Sequence, residues 1–512
     1  MDKTELLERL TKAGVMSTSD AVRAYNKPVH RKSRAYTAAQ ITRLTDSWTV
    51  TPKPADVDIK AGLKILVARS REQAQNNDYV RRFLSLCKTN VVGQQGIVMR
   101  PRSKDSDGSL DKDANAAINK AFLRWGRYGS PEVTNTQSLK MIERQFISTV
   151  MQDGEVLMLR HFGWDGNDSK YAVQFLDAQA MPVDYDRKLN NGNVIKMGVE
   201  FNKWRKPVAY HLMTDNVSDH YLYQSNKYQR IPAEMIFHRF LPDFIWQSRG
   251  VPAITSAMMR MNMLNGYEEA ELVAARVGSS KMGFFVDSPE GGQYTGDGEK
   301  DDEGNYITDA DPGSFERLPN GVQFQSWDPS HPTQAYKDFV KTTLRGIASG
   351  LGVNYNSLSN DLEGVNYNSL RQGAIDERAI WMQLQDWMIE SFMTPLYEDW
   401  LTSSLFAGSI KINDRATLSP ERFDKYATIE WQPRRWEWVD PYKQAQADKD
   451  SINARVKSIS SVIRENGRDP EGVWAELAED MDKLNELGIP PVIDGQTLEN
   501  ITNEDINNAE ED

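Results

Sequence analysis

Two stretches of helical periodicity, separated by a glycine-rich polar insert, constrain this chain more than any other feature of its sequence. Pro252 opens the first, which runs to about Gly278, since proline suits a first helical turn and glycine often follows a last one. A helix of that size spans about 40 Å, the thickness of a small domain. Next come MGFFVD, a polar stretch holding Gly291, Gly292, Gly296, Gly298 and Gly304, and Val322–Trp327. This insert, 281–332, reads as a small β-rich unit. Helical spacing resumes with Tyr336, Phe339, Val340, Leu344, Ile347 and Leu351. One helix out, a tip, and one helix back predict a stalk carrying a tip. Met258, Met259, Met261 and Met263 beside Leu264 offer more apolar surface than a lone stalk buries, so neighbouring copies are expected to cover it.

The chain has 512 residues, enough for about three or four domains or lobes with substantial cores. Its single cysteine, Cys87, excludes an intramolecular disulfide framework. With 73 acidic against 61 basic residues the formal charge is -12, a poor match for a protein that coats nucleic acid. No run approaches the roughly 18 apolar residues of a membrane span, and Met1–Ala21 has no apolar signal core. The expectation is a soluble chain that is not secreted.

Along the rest of the chain, residues 1–20 read as a short amphipathic helix, and Ala21–Thr45, with Arg23, Lys27, Arg31, Lys32, Arg34 and Arg43 but no acid, as a basic mobile arm. Two helices meet near Asn76-Asn77, and others are expected over 113–126 and 137–152, the last stopped by Asp153-Gly154. Short strands follow at Glu155–Arg160, Ala172–Leu176, Val194–Phe201 and Val208–His211, an α+β lobe and not a βαβ repeat. The heptapeptide GVNYNSL occurs at 352–358 and again at 364–370. Two copies are too few for a solenoid, and the segment reads as a polar loop. Arg371–Leu405 is helical and aromatic, with a kink expected at Pro395. Residues 428–439 return to strand character. Two more helical stretches lead to Asp494–Asp512, which holds seven acids and no base and is expected to be a disordered tail.

Chemical motifs are scarce. There is no Gly-Lys pair for a phosphate loop, no GxGxxG after a strand, no HExxH and no GxSxG, so marked nucleotide enzymes, zincins and hydrolases are disfavoured. The six histidines show no metal-ligand spacing. Cys87 lies on an apolar face with Val80, Phe83 and Leu84 and reads as core. The loop 297–311 resembles a calcium loop at Glu299, Asp301, Glu303 and Gly304, but Ala310 stands where the bidentate glutamate belongs. Asp184-Tyr185-Asp186 is the one DxD, and a metal-dependent enzyme of nucleic acids or sugars using Asp184 and Asp186 is the rival reading. The sharper pattern is Lys337, Lys341 and Arg345, four residues apart, a basic stripe opposite the apolar face of its helix.

Several segments, in order, resemble the lambda-type portal proteins of tailed bacteriophages: RSREQAQNND at 69–78, NVVGQQGI at 90–97, MQDGE at 151–155, FHRFLPDFIWQSRGVPAI at 237–254, EAELVAARVGSSKMGFF at 269–285, DPSHPTQAYKDFVKTTLRGIASGLGVNYNSLSND at 328–361 and NYNSLR at 366–371. They cover roughly 40–440; stretches 1–40 and 491–512 are not matched. The resemblance implies an α+β portal fold with an α/β wing, long paired stem helices, a small β-containing clip and an α-helical crown. By segment it implies a basic N-terminal arm at 1–45, wing at 46–251, stem helices at 252–280 and 333–352, clip at 281–332, tunnel loop at 353–369, kinked wing helix and sheet at 370–440, crown at 441–490 and acidic tail at 491–512.

The implied protein is no enzyme and needs no cofactor. It forms a dodecameric ring at one capsid vertex of the virion, assembled in the host cytoplasm, through which double-stranded DNA is packaged by the large terminase subunit and later ejected. Its other implied partners are a head-tail adaptor, the major capsid protein and a scaffold, with no membrane. Lys337, Lys341 and Arg345 are then expected on the channel wall. Asn354, Asn356, Asn360, Asp361, Glu363 and Asn366 are expected in the tunnel loop, where Asp361 and Glu363 would repel phosphate. Asp297, Glu299, Asp301, Asp302 and Glu303 are expected on the docking face of the clip, although the long acidic insert at 290–312 departs from closer lambda-type relatives.

Overall fold

The computed structural model describes residues 3–15, 17–26, 39, 42–43, 45–213, 228–280, 283–287, 322–326, 335–412, 416–436, 441–466, 468 and 470–488. The chain divides into a unit over Met1–Pro54 and a unit over Ala55–Asp512. In the first, α1 (Lys3–Lys12) and α2 (Thr18–Asn26) pack on each other. Arg23 of the expected basic arm is therefore helical, while most of that arm lies outside the described residues.

The second unit opens with α3 (Ala55–Asn76) and α4 (Asp78–Cys87), separated by Asn77, whose side chain accepts from the Tyr79 and Val80 amides. After a π-helical turn come β1 (Val98–Pro101), α5 (Lys112–Trp125) and α6 (Leu139–Asp153). Asp111 caps α5, and Gly154, at φ 88°, ends α6 in the left-handed region that glycine adopts without a Cβ clash. Then come β2 (Glu155–Phe162) and β3 (Tyr171–Leu176). The next five strands are β4 (Arg187–Lys188), β5 (Val194–Lys196), β6 (Val199–Phe201), β7 (Pro207–Met213) and β8 (Tyr228–Pro232), and β9 (Ile236–Phe240) follows. They form two antiparallel sheets, β3-β2-β9 and β4-β5-β6-β7-β8. The strand expected over Val194–Phe201 is two, because Met197 and Gly198, both at positive φ (46° and 82°), fold it into a hairpin.

The stalk is present as α7 (Thr255–Ser280) and α8 (Ala335–Leu351), and β10 (Gly283–Asp287) pairs antiparallel with β11 (Val322–Ser326) in the insert between them. The two helices run antiparallel. Ser256 donates to the Gly350 carbonyl at 3.0 Å near one end, and Tyr267 meets Tyr336 and Phe339 at ring-centre distances of 5.8 and 5.0 Å farther along. Gly346 admits the Arg260 guanidinium, which lies 2.0 Å from where a Cβ would stand. Met258, Met261 and Leu264 are buried in the chain's own core, whereas Met259 and Met263 are 63% and 70% exposed. The expected methionine surface is therefore half internal packing.

Beyond the stalk lie α9 (Tyr355–Ser359) and α10 (Tyr367–Met388), a π-helical turn over Ile389–Met393, and α11 (Thr394–Phe406). Pro395 explains this break. It has no N–H for the carbonyl four residues back, that of Ser391, and Arg239 from β9 donates to that oxygen instead at 2.6 Å. Two short strands, β12 (Lys411–Ile412) and β13 (Ala416–Thr417), precede α12 (Phe423–Tyr426) and β14 (Ile429–Gln432), which pairs with β1. The strand expected over 428–439 is thus four residues long. Three helices complete the described chain: α13 (Pro441–Asn453), α14 (Ile459–Glu465) and α15 (Pro470–Glu486).

One aromatic core joins these parts. Phe146 of α6 stacks on Phe392 of the π turn at 4.2 Å, and Phe122 and Trp125 of α5 pack with Tyr397 and Trp400 of α11. Cys87 belongs to this core at 0% exposure, and burial pushes its thiol pKa up, away from the reactive thiolate.

The root of α7 is fixed where two backbones cross. A Cβ on Gly250 would lie 2.1 Å from the Gly154 carbonyl oxygen, and one on Gly154 would lie 2.3 Å from the Val251 carbonyl carbon. Glu155 and Arg249 flank the crossing as a fully buried ion pair. Both carboxylate oxygens accept from Arg249 Nε at 2.9 Å, and Oε2 also accepts from the Gly250 amide at 3.0 Å. His238 Nε2 lies 2.9 Å from the same oxygen. The remaining guanidinium protons reach the Met197 and Ala178 carbonyls at 2.8 and 3.0 Å. Burial alone would raise the Glu155 pKa, but Arg249 and His238 bring it below the usual carboxylate range. Because both contacts at the crossing are with backbone, Gly250→Ala should destabilise the protein by more than about 3 kcal/mol. A drop in the urea midpoint checks this; an unchanged midpoint contradicts the crossing.

Candidate functional site

The two copies of GVNYNSL fold alike, and this overturns the expectation of a plain polar loop over 353–369. In each, the first asparagine takes the extended N-cap conformation and the tyrosine after it starts a helix: Asn354 before α9, Asn366 before α10. Their fates then diverge. The first copy ends after five residues where Asn360 turns left-handed at φ 56°, while the second continues for 22. Asn366 caps in the ordinary way, accepting from the Ser369 amide at 2.8 Å. Asn354 instead donates to the Gly373 carbonyl and to Glu377 at 3.1 Å, tying α9 to α10, and Ser357 donates to the same Glu377 oxygen at 2.7 Å.

This turn sits against the basic stripe of α8. Lys337 pairs with Glu363 at 2.5 Å and Lys341 with Asp361 at 3.3 Å. Tyr355 donates to Asp361 at 2.7 Å, and its ring lies 5.8 Å from Lys341 Nζ and 5.6 Å from the Arg345 guanidinium carbon. Asp361 is held down to about 2, chiefly by the Tyr355 hydroxyl and the Glu363 amide, with Lys341 adding to them. The two acids expected to repel phosphate are therefore neutralised by two of the three cations expected to attract it. Among the described residues Arg345 has no carboxylate partner and is exposed.

The turn is also held from α4, where Arg82 donates to the Ser357 carbonyl at 3.0 Å and to Asn360 Oδ1 at 3.1 Å. Asn356 is half-buried in α9. Sequence reasoning missed Arg82, Tyr355 and Glu377, which anchor the turn. The heptapeptide repeat with its helix-starting asparagines was the available signal.

The rival pair is placed differently from its reading. Asp184 pairs with Lys64 at 2.5 Å and Asp186 with Lys60 at 2.6 Å, both lysines on α3, and Asp186 also accepts from the Met197 amide at 2.7 Å. Each carboxylate thus already has a cation. Among the described residues no group of three or more His, Cys, Asp or Glu could hold a metal ion, and no helix is long and apolar enough to cross a membrane. His211 and His238 are buried against Glu200 and Glu155. The clip acids Asp297, Glu299, Asp301, Asp302 and Glu303 lie outside the described residues.

Residues 42–385 match the family described as phage portal protein, lambda family. The chain is also 35% identical over 463 residues to a probable portal protein of Halomonas phage phiHAP-1, covering 90% of this chain and 88% of that one. The chain belongs to the lambda family of phage portal proteins. The family is structural rather than enzymatic. Portal protein B of Escherichia phage lambda is 19% identical over 476 residues, with 87% of this chain and 88% of that one covered. Among solved structures, the chain is similar to one from the neck of a native gene transfer agent particle computed with C12 symmetry. That match has TM-score 0.41 and 12% identity and covers 80% of this chain and 99% of that one. The family match takes in α7, α8, α9 and the first part of α10, the elements that build the turn.

The contacts rank the side chains. Asn354→Ala removes two hydrogen bonds between α9 and α10 and leaves the 7%-exposed Glu377 short of a donor, a loss of about 1–3 kcal/mol. Lys337→Ala breaks only an exposed pair and should not move the melting temperature measurably. Equal shifts in thermal unfolding of the two variants would contradict this ranking.

Proposed function

We propose that the chain is the repeating unit of a portal ring at one capsid vertex, a head-tail connector through which DNA enters and leaves. The single observation that carries this reading is membership of the lambda portal family across 42–385, the region holding the helix pair and its hairpin. On this reading α7 and α8 are the stem, 281–332 the clip, 353–369 the tunnel turn, 46–251 and 370–440 the wing, and 441–490 the crown. The copies number about a dozen. Large terminase, a head-tail adaptor and the capsid shell are the partners at the ring's faces.

Two features of the chain support it. Met259, Met263, Leu272 and Val273 of α7 and Phe339 of α8 are more than half exposed, a large apolar surface for a monomer to leave in water and a natural contact for the next copy. The stem also carries its positive charge in moderated form. A strongly cationic bore would hold phosphate that has to slide, and pairing Lys337 and Lys341 with the turn leaves Arg345 as the cation free to meet DNA.

This assigns Arg345 a larger share of the DNA contact than either lysine. Arg345→Glu should lower the yield of full genomes while rings still assemble, and Lys337→Glu should do so less. A photocrosslinker at Asn360 should reach DNA in filled heads. Normal packaging by Arg345→Glu together with no crosslink from Asn360 would place the turn away from the channel.

A further inference from the structure

The two copies of GVNYNSL share their backbone as well as their sequence. Gly352 and Gly364, which open them, both take the left-handed conformation, at φ 69° and 68°. Asn354 and Asn366 both follow in extended backbone, at φ -70° and -81°. Their surroundings differ. Leu358 of the first copy is 2% exposed and Val353 8%, whereas Leu370 of the second is 38% exposed. The contacts that seat the first copy come mostly from inside the heptapeptide. The Ser357 carbonyl accepts from Arg82, Asn354 and Ser357 donate to Glu377, and Val353 and Leu358 join the core. Each of these residues has an identical twin twelve positions on, at Val365, Asn366, Ser369 and Leu370. A seat that accepts one copy therefore has the chemistry to accept the other.

The second copy begins α10, and residues 368–372, 375 and 376 of that helix are exposed. The firmly packed part of α10 starts at Glu377, 7% exposed, and continues through Trp381 at 3% and Gln385 at 1%. The turns before Glu377 bury little, so they belong to the part of the helix that opens most readily. We propose that the two copies exchange places. In a second register 364–370 takes the seat now held by 352–358, residues 352–363 bulge out as a loop after α8, and the first turns of α10 unwind to connect Leu370 to Glu377. That connection, 371–376, lies within the range of short helix-to-helix links.

Exchange resets the charge along α8. Asp361 and Glu363 lie outside the repeat and leave with the loop, and the residues twelve positions on are Gly373 and Ile375. Lys337 and Lys341, now paired with Glu363 and Asp361, then lose both carboxylates. The Tyr355–Asp361 and Arg82–Asn360 bonds are lost with them, which favours the observed register. Exposed pairs such as Lys337–Glu363 supply only a small bias, so the two registers lie close in free energy. The repeat thus switches α8 between a neutralised and a bare basic stripe. The inference does not depend on the portal reading, because it needs only the repeat and its contacts within one chain.

The test is hydrogen exchange, read by mass spectrometry on the full-length protein. Leu358→Gln spoils the first copy for its buried seat, so the second copy should dock and the amides of 371–376 should exchange at least about tenfold faster than in the unaltered chain. Adding Leu370→Gln spoils the second copy too. Unwinding α10 then gains nothing, and protection of 371–376 should return. Restoration by a second substitution is the mark of exchange, because a merely loosened α9 leaves the single and double variants alike. Leu358→Ala, milder in the core, takes the place of Leu358→Gln where that chain does not fold. Protection at 371–376 that ignores the substitution at Leu358, or that falls and is not restored by Leu370→Gln, overturns the proposal.

Discussion

The buried Glu155–Arg249 pair, with the Gly154–Gly250 crossing beside it, sets the direction in which α7 leaves the antiparallel sheets that precede it. Everything farther along depends on that direction. Charges taken out of water lose most of their Coulomb gain to desolvation, so the pair adds little net stability when compared with an apolar replacement. Breaking it is another matter, since one uncompensated charge would remain among the Met197 and Ala178 carbonyls and His238. Its contribution is geometric: the Arg249 donors and the Gly250 amide fix one arrangement of β2, the 178–181 turn and the start of α7. From that root, glycines at 346 and 350 let α8 return close to α7. The return in turn delivers Lys337, Lys341 and Arg345 to the 353–366 turn.

Much of this was legible in the sequence because it is local. Helix ends near Asn77 and at Gly154 follow from local turn and capping chemistry, and the stalk follows from two periodic stretches around a glycine-rich insert. The break near Pro395 was legible as a kink, though its form was not, since a π turn depends on what Arg239 offers the stranded Ser391 carbonyl. The Val194–Phe201 hairpin was hidden because Met197 carries no turn signal of its own. Strands β8 and β9 went unread, although FHRF lies in a segment that carries the family resemblance. The site was legible in its parts and not in its pairing: periodicity marked the basic stripe, and composition marked Asp361 and Glu363, but only the tertiary fold brings them to within 3.3 Å or less of two of its cations.

That pairing changes the physical picture of α8. A chain with net charge -12 has few basic stripes to keep free for phosphate. Instead cations and anions are matched pair by pair, at Lys337–Glu363 and Lys341–Asp361, at Lys60–Asp186 and Lys64–Asp184, and at Arg71, which bridges Asp153 and Asp177. Among the described residues such matching leaves Arg345, beside the turn, as a cation without a carboxylate partner and a place where an anion would be felt. A surface that must let a polyanion pass has reason to be built this way, because attraction at few points guides without holding.

The account rests on copies of the chain closing into a ring, with the exposed apolar faces of α7 and α8 buried between neighbours. Native mass spectrometry of the full-length protein at micromolar concentration tests this most directly. The account predicts one closed assembly near twelve subunits, with no ladder of open intermediates and little dependence on salt, as apolar burial requires. Monomers alone, across several salt concentrations, would contradict it.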